Sequence, residues 1–193
     1  MQLLSFDTRQ GQYAFQVQHL TTSLHAHPAA ETIRAFSGTF SLALEDTVYT
    51  GLTSCHLIAN TPHAIHAPDA TLRITLTEAT VLSQDTRIIT AVDRLRTNPL
   101  PYTQLLADLC TEVHLSASRL SHLFRQETGI SLRRYNLWRR LCTCMYHYIT
   151  QDCTLSEAGQ AAGFYDQAHL TRVFRQFMGV VPSEQYNSRI VQG

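Results

Sequence analysis

The sequence has no lysine, no net charge and no long apolar run. All 15 basic side chains are arginine, and 15 acidic side chains balance them. A neutral chain would ordinarily argue against a nucleic-acid partner. No apolar stretch approaches the roughly 18 residues that a membrane-spanning helix needs, and no basic-then-apolar leader opens the chain. The expectation is therefore a cytoplasmic protein without a membrane partner. The five cysteines (Cys55, Cys110, Cys142, Cys144, Cys153) are odd in number and lack the paired C-x₂₋₄-C spacing of a zinc site. Cys142 and Cys144 fall inside an expected helix, where positions i and i+2 point apart. Reduced thiols in a cytoplasmic protein are the plain reading. Also missing is any Gly/Ser-rich or Pro-rich linker, so two domains, if present, should be rigidly coupled.

The neutral total hides an asymmetry. Residues 1–85 hold 3 Arg against 7 acidic residues, and residues 86–193 hold 12 Arg against 8. A change of sign between halves suggests two domains with different partners, the second partner anionic. The 193 residues allow one or two domains, and a 44% hydrophobic content can fill a core. Residues 1–83 read as short strands. Tyr13–Leu20, Phe40–Leu44, Ser54–Ala59 and Leu72–Thr77 are rich in Thr, Val, Leu and aromatics, and Gly11, Gly38, Gly51, Pro62 and Pro68 break them. Strands at this spacing predict a small sandwich or barrel. From Asp85 the pattern turns helical. Ile88, Ile89, Val92 and Leu95 mark one face of a first helix that stops near Asn98-Pro99. The boundary is therefore expected near residue 84, giving a strand-rich domain over 1–84 and a helical domain over 85–193.

The second half repeats itself at an offset of 50 residues. Leu120-Ser-His-Leu-Phe124-Arg125-Gln126-Glu-Thr-Gly129 returns as Leu170-Thr-Arg-Val-Phe174-Arg175-Gln176-Phe-Met-Gly179. Leu and Phe four residues apart share one helix face and can bury together, and the arginine that follows turns to solvent. The closing glycine supplies a left-handed stop. A short helix and a tight connection precede each copy. Thr154-Leu-Ser-Glu157 fits a capping box opening a helix to Ala162, Gly163 allows the turn, and Phe164 can plug the gap. In the first copy Leu106–Val113 is the helix, His114-Leu115 the turn and Ser116 the N-cap. Helix, turn and helix is the unit whose second helix enters the major groove of DNA. From periodicity alone the repeat also fits a helical bundle or a structural repeat.

The residues resemble those of the AraC/XylS family of bacterial transcription regulators. Gly163-Phe164 through Arg172, Phe174, Gly179, Pro182 and Tyr186 is similar to that family's signature for a second helix-turn-helix, and Ser116–Gly129 to its first. Arg133–Leu141 is like the long helix joining them. The resemblance implies an α+β chain of two domains: a small cupin-like β-barrel followed by an all-α domain with two helix-turn-helix units joined by a long helix. It implies two recognition helices on one face, separated by on the order of 34 Å, one turn of DNA. The implied partner is double-stranded DNA, with RNA polymerase and a second copy of the chain as further candidates, and the implied place is the nucleoid. Base contacts fall to Ser118, Arg119, Ser121 and His122 in the first recognition helix and to Gln167, His169 and Arg172 in the second. Arg suits guanine and Gln suits adenine. Ser116, Arg125 and Arg175 suit phosphate, which positions without specifying. Leu120, Phe124, Leu170, Phe174 and Trp138 are assigned to the core. Three departures stand out. Cys110 and Gly159 replace a usual alanine, and Gly159 should weaken its helix by roughly 1 kcal/mol. Tyr165 stands where an N-cap is usual, which leaves Asp166 to cap.

In the first half, His25-x-His27-x₃-Glu31-x₆-Gly38 resembles the first motif of the cupin fold, and Pro62-x₃-His66 part of the second. Three readings follow. His25, His27, Glu31 and His66 could hold a divalent metal, or serve as polar groups of an organic effector pocket, with His63 able to replace His66. The domain could also simply dock or dimerise. The resemblance implies an effector-responsive regulator rather than an enzyme; a metal-dependent enzyme with an appended DNA-binding module is the rival. The helices that usually mediate dimerisation between the two domains have no room here. Tandem recognition helices would still let one chain bind DNA.

Overall fold

The computed structural model describes residues 2–7, 10–78, 83–98 and 101–182. Within them lie seven strands, β1 (Gln2–Asp7), β2 (Gln12–Thr21), β3 (Ala29–Ser37), β4 (Phe40–Leu44), β5 (Thr47–Leu52), β6 (Ser54–Leu57) and β7 (Ala64–Glu78). Six helices follow: α1 (Thr86–Thr97), α2 (Tyr102–Glu112), α3 (Ala117–Thr128), α4 (Leu132–Thr150), α5 (Leu155–Ala161) and α6 (Gln167–Met178). They form two compact units. One joins the strands to the chain from Thr171 onward, and the other spans Thr80–Leu170.

All strand pairings are antiparallel, in the order β1-β2-β7-β3-β6, with β4 pairing β5 and β7. β7 is the organiser. Its later half lies between β2 and β3, and its first residues, Ala64–His66, pair with β4. A strand that changes partners along its length curls the sheet toward the barrel that the sequence predicts. Pro68 was expected to break this strand, and it does not. The β2–β7 register slips between Gln18 and Leu20, opposite Pro68, so the missing N–H falls in a bulge. His19 adopts φ +54° at that slip and its Nδ1 meets the Pro68 carbonyl. The core lies on the inward face, where Phe15, Val17, Ile33, Leu72 and Leu76 are buried.

Four strands match predicted segments, Phe40–Leu44 to the residue. Those at β1, β3 and β5 were not anticipated. β5 is exposed at five of its six positions, so alternation carries no signal there. β3 alternates well but puts Glu31 in an inward slot between Ala29 and Ile33, which spoils the apolar pattern.

The helices follow their caps. Asp85, Ser116, Ser131 and Thr154 each accept a backbone N–H with the side chain at the start of α1, α3, α4 and α5. The expected Thr154–Glu157 capping box is present in full. Asp166 takes the role that Tyr165 cannot: its Oδ1 accepts the His169 N–H at 2.6 Å. Ile89 was expected on the buried face of α1 and is 48% exposed; Ala91 is buried instead. α2 starts at Tyr102, four residues before the predicted Leu106, with Pro101 at its cap and no side-chain capping bond. Without a capping side chain, this stretch carries no start signal. Pro99 and the signature's end at Ser183–Tyr186 lie outside the described residues.

Candidate functional site

Two helix-turn-helix arrangements occupy the second half. In the first, α2 ends at Val113 and the chain turns at His114, which takes φ +52°. Ser116 then caps α3 by accepting the Arg119 N–H at 3.3 Å, and Gly129 closes the helix at φ +73°. In the second, α5 ends at Ala162, Gly163 turns at φ +79°, and Asp166 opens α6, which Gly179 follows at φ +71°. The five predicted core side chains are buried, none more than 2% exposed. Gly159 also finds a reason. A Cβ there would stand 3.0 Å from Leu170 Cδ2, so the missing methyl lets α6 lie close against α5.

The side chains expected at DNA face outward. Ser116, Ser118, Arg119, His122 and Arg125 on α3 are exposed, and Ser121 is half-buried. On α6, Gln167, Arg172 and Arg175 are exposed. His169 is half-buried, its ring edge-on to Phe164 at 5.4 Å between centroids.

The second candidate site lies inside the sheet. His25, His27, Glu31 and His63 are all buried, and one ring nitrogen from each histidine lies within 4.8 Å of the others. His66, the fourth residue expected from the cupin resemblance, is not among them. It is exposed on β7, its Nδ1 3.2 Å from Thr21 Oγ1. Alternation is the reason: Ile65 points inward, so His66 must point outward. His63 precedes β7 and bridges to His25 through both backbone N–H groups, at 2.9 Å each.

The chemistry of this cluster follows from its hydrogen bonds. His25, His27 and His63 each place Nδ1 2.9 Å from a backbone carbonyl, of Ser23, Ala29 and Thr61. Carbonyls only accept, so each Nδ1 carries a proton, and in the neutral imidazole each Nε2 keeps a lone pair. Glu31 Oε2 lies 2.8 Å from His63 Nε2 and 3.4 Å from His27 Nε2. Lone pairs facing each other in a buried site are at ease only around a proton or a cation. Burial opposes charge on Glu31, but the hydrogen bonds from His27 and His63 outweigh it and hold the carboxyl well below its usual range. Burial also opposes charge on His63, and Glu31 outweighs it in the other direction, raising that imidazole. His25, with burial and the neighbouring His63 both against its charged form, falls to about 4. Carbonyl-held Nδ1 atoms and inward Nε2 atoms are the arrangement that metal-binding histidines require.

A cavity of about 40 Å³ adjoins the cluster, lined by Phe15, Val17, Ile65 and Leu76 from the sheet and by Phe174 and Met178 from α6. That is room for one or two waters, far below the roughly 300 Å³ at which organic ligand pockets begin. The chain after α6 is fixed to the same place. Ser23 donates its N–H and its hydroxyl to the Gly179 carbonyl, at 2.8 and 2.9 Å. A Cβ on Gly179 would come within 2.5 Å of His25 Nδ1.

Comparison with known proteins bears on the second half most directly. Residues 109–187 match the family described as "Helix-turn-helix domain". The arabinose operon regulatory protein of Salmonella typhimurium is 38% identical over 79 residues, covering 41% of this chain and 28% of that protein. This stretch is a helix-turn-helix domain, similar in sequence to that of the arabinose operon regulator. RhaR, a transcriptional activator of Yersinia pseudotuberculosis, is 30% identical over 87 residues, covering 45% of this chain and 30% of that protein. The chain thus spans less than a third of the length of these curated relatives. Both are regulators of transcription by name, not enzymes. Among solved structures, apo ToxT of Vibrio cholerae covers 90% of this chain and 96% of its own at a TM-score of 0.56 and 10% identity. That likeness shows the fold, a strand-rich first half and a helical second half, over nearly the whole length.

Proposed function

We propose that this chain is a sequence-specific transcription regulator that reads double-stranded DNA with α3 and α6 and answers to an effector held in the sheet. The observation that carries the reading is the pair of side-chain-capped helices, 50 residues apart within a helix-turn-helix domain, whose first turns are polar and exposed. Ser118, Arg119, Ser121 and His122 read one major-groove segment, and Gln167, His169 and Arg172 the next. Ser116, Arg125 and Arg175 hold phosphates. Residues 1–84 act as the sensor and 85–193 as the reader. The setting is the bacterial cytoplasm at the nucleoid, with RNA polymerase as a protein partner and a homodimer as the second mode of DNA binding.

A divalent metal fits the sensor better than an organic effector. His25, His27 and His63 through Nε2, with Glu31 through a carboxylate oxygen, would hold the ion, and the cavity beside them leaves room for little more than its water. Such an ion would supply positive charge to a site that otherwise gathers lone pairs. An unsaturated fatty acid is bound in one ToxT structure; a ligand of that bulk needs the cavity here to open. The strap from Ser23 to His25 also grips Gly179, so a change at the cluster has a short route to the end of α6.

The double substitution Gln167→Ala with Arg172→Ala tests the reading of DNA. Against a sequence selected by the wild-type chain, a mobility-shift titration should lose its preference over random DNA while weak, salt-sensitive binding persists. Retention of full specificity refutes the assignment of α6 as a reader.

A further inference from the structure

Two arginines of α4 stand apart from those expected at DNA. Arg139 and Arg140 are adjacent and buried, 0% and 6% exposed. Buried arginine ordinarily demands a carboxylate or an equivalent set of acceptors. Arg140 meets backbone carbonyls and a ring. Its Nε donates to the Ala162 carbonyl at 3.0 Å, an Nη donates to the Gly163 carbonyl, and its guanidinium carbon lies 4.8 Å from the centre of the Phe164 ring. These are three consecutive residues, and they open the five-residue turn between α5 and α6. Carbonyls at a helix C-terminus carry partial negative charge, and an aromatic face attracts a cation, so this turn suits one planar guanidinium. Gly163 fits it twice over: it holds φ +79°, and a Cβ there would stand 3.4 Å from Arg140 Nη2.

The first turn of α4 is tied to the first helix-turn-helix. The Tyr135 ring lies 5.9 Å from that of Phe124 on α3, and its hydroxyl accepts the Arg96 Nε–H at 3.3 Å. Arg139 donates to the Arg96 carbonyl at 3.1 Å. α4 therefore holds one reading unit through Tyr135 and the other through Arg140.

We propose that Arg140 is a positioning residue for DNA reading: its guanidinium clamps the α5–α6 turn to α4 and so sets where the start of α6 meets DNA relative to α3. The inference rests on the DNA-reading function proposed above. It assigns to a residue that never touches DNA the control of spacing between the two segments read.

The test uses the full chain and a sequence selected by the wild type from random DNA. Footprinting of the wild type should protect two neighbouring major-groove segments. Arg140→Met should keep protection over the α3 segment and lose it over the α6 segment, with affinity falling on the order of tenfold or more. Arg140→Lys restores charge without the planar fork and should recover only part of the loss. With one base pair inserted between the segments, the wild type should be penalised more steeply than Arg140→Lys, whose turn is held less firmly. Two segments protected by Arg140→Met as by wild type overturn the clamp, as does equal loss over both segments in a variant that unfolds at the wild-type temperature. Should Arg140→Met fail to fold, the insertion series on Arg140→Lys decides, and a penalty equal to wild type overturns the proposal. A wild type that selects no sequence overturns the DNA reading and this inference together; a wild type with two segments and an indifferent Arg140 overturns this inference alone.

Discussion

Glu31 occupies a position where the sheet would otherwise place a Val or Ile. It is 3% exposed, on the inward face of β3 between Ala29 and Ile33. A carboxylate there is costly unless cations or donors surround it. The histidine spacing in the sequence identified His25, His27 and Glu31, because i and i+2 on an extended segment share a side and the acid follows closely. The cupin-like motif named His66 as the fourth residue, with His63 only as its substitute, whereas the buried one is His63. The choice depends on which residue precedes the strand and which falls within its alternation, and the β7 register sets that. The metal reading makes a direct prediction. Protein expressed with divalent transition metals present should retain close to one equivalent by elemental analysis, and less than about a tenth of an equivalent would sink the reading. Metal at a hundredfold excess over its dissociation constant should stabilise the fold by about 2.7 kcal/mol, and Glu31→Gln should reduce that gain.

At the scale of the element, helix ends were the most legible feature. Ser116, Thr154 and the glycines after α3 and α6 announce the boundaries by local chemistry, and local chemistry is what a sequence displays. α2 was misplaced at its start because Pro101 offers no capping side chain. The two closing glycines look alike in sequence and share nearly the same backbone, φ +73° at Gly129 and +71° at Gly179. Their surroundings differ. A Cβ on Gly129 meets nothing within 4 Å, whereas one on Gly179 would meet His25 Nδ1 at 2.5 Å and the Ser23 carbonyl at 2.6 Å. Gly129→Ala should therefore cost only the left-handed backbone penalty, about 1 to 2 kcal/mol. Gly179→Ala should cost clearly more, upward of about 3 kcal/mol, because backbone must also move. Urea midpoints of the two variants compare them directly, and equal shifts would contradict the close packing at Gly179.

The whole molecule is neutral, yet its charges are segregated, with 12 of 15 arginines after residue 85. Two of these are buried: Arg139 and Arg140 are spent inside the helical unit. The charge available to DNA is smaller than the sequence count suggests, and this sets the expected salt response. Arg125→Ala should weaken binding to all DNA sequences alike and lower the slope of log affinity against log salt by about 1. Gln167→Ala should leave that slope unchanged while altering sequence preference. A slope insensitive to Arg125 would remove it from the phosphate contacts.

By itself the sequence determined the order of strands then helices, the repeat, the caps and the polar faces of α3 and α6. All of these follow from spacing along the chain, since a helix turns every 3.6 residues and a strand every two. The tertiary structure decided which histidine completes the buried cluster, how small the cavity beside it is, and that Arg140 serves the α5–α6 turn. Those depend on contacts between residues far apart in the chain, 32 residues from Glu31 to His63 and 22 from Arg140 to Ala162. Packing selects such pairs, and no local pattern encodes them.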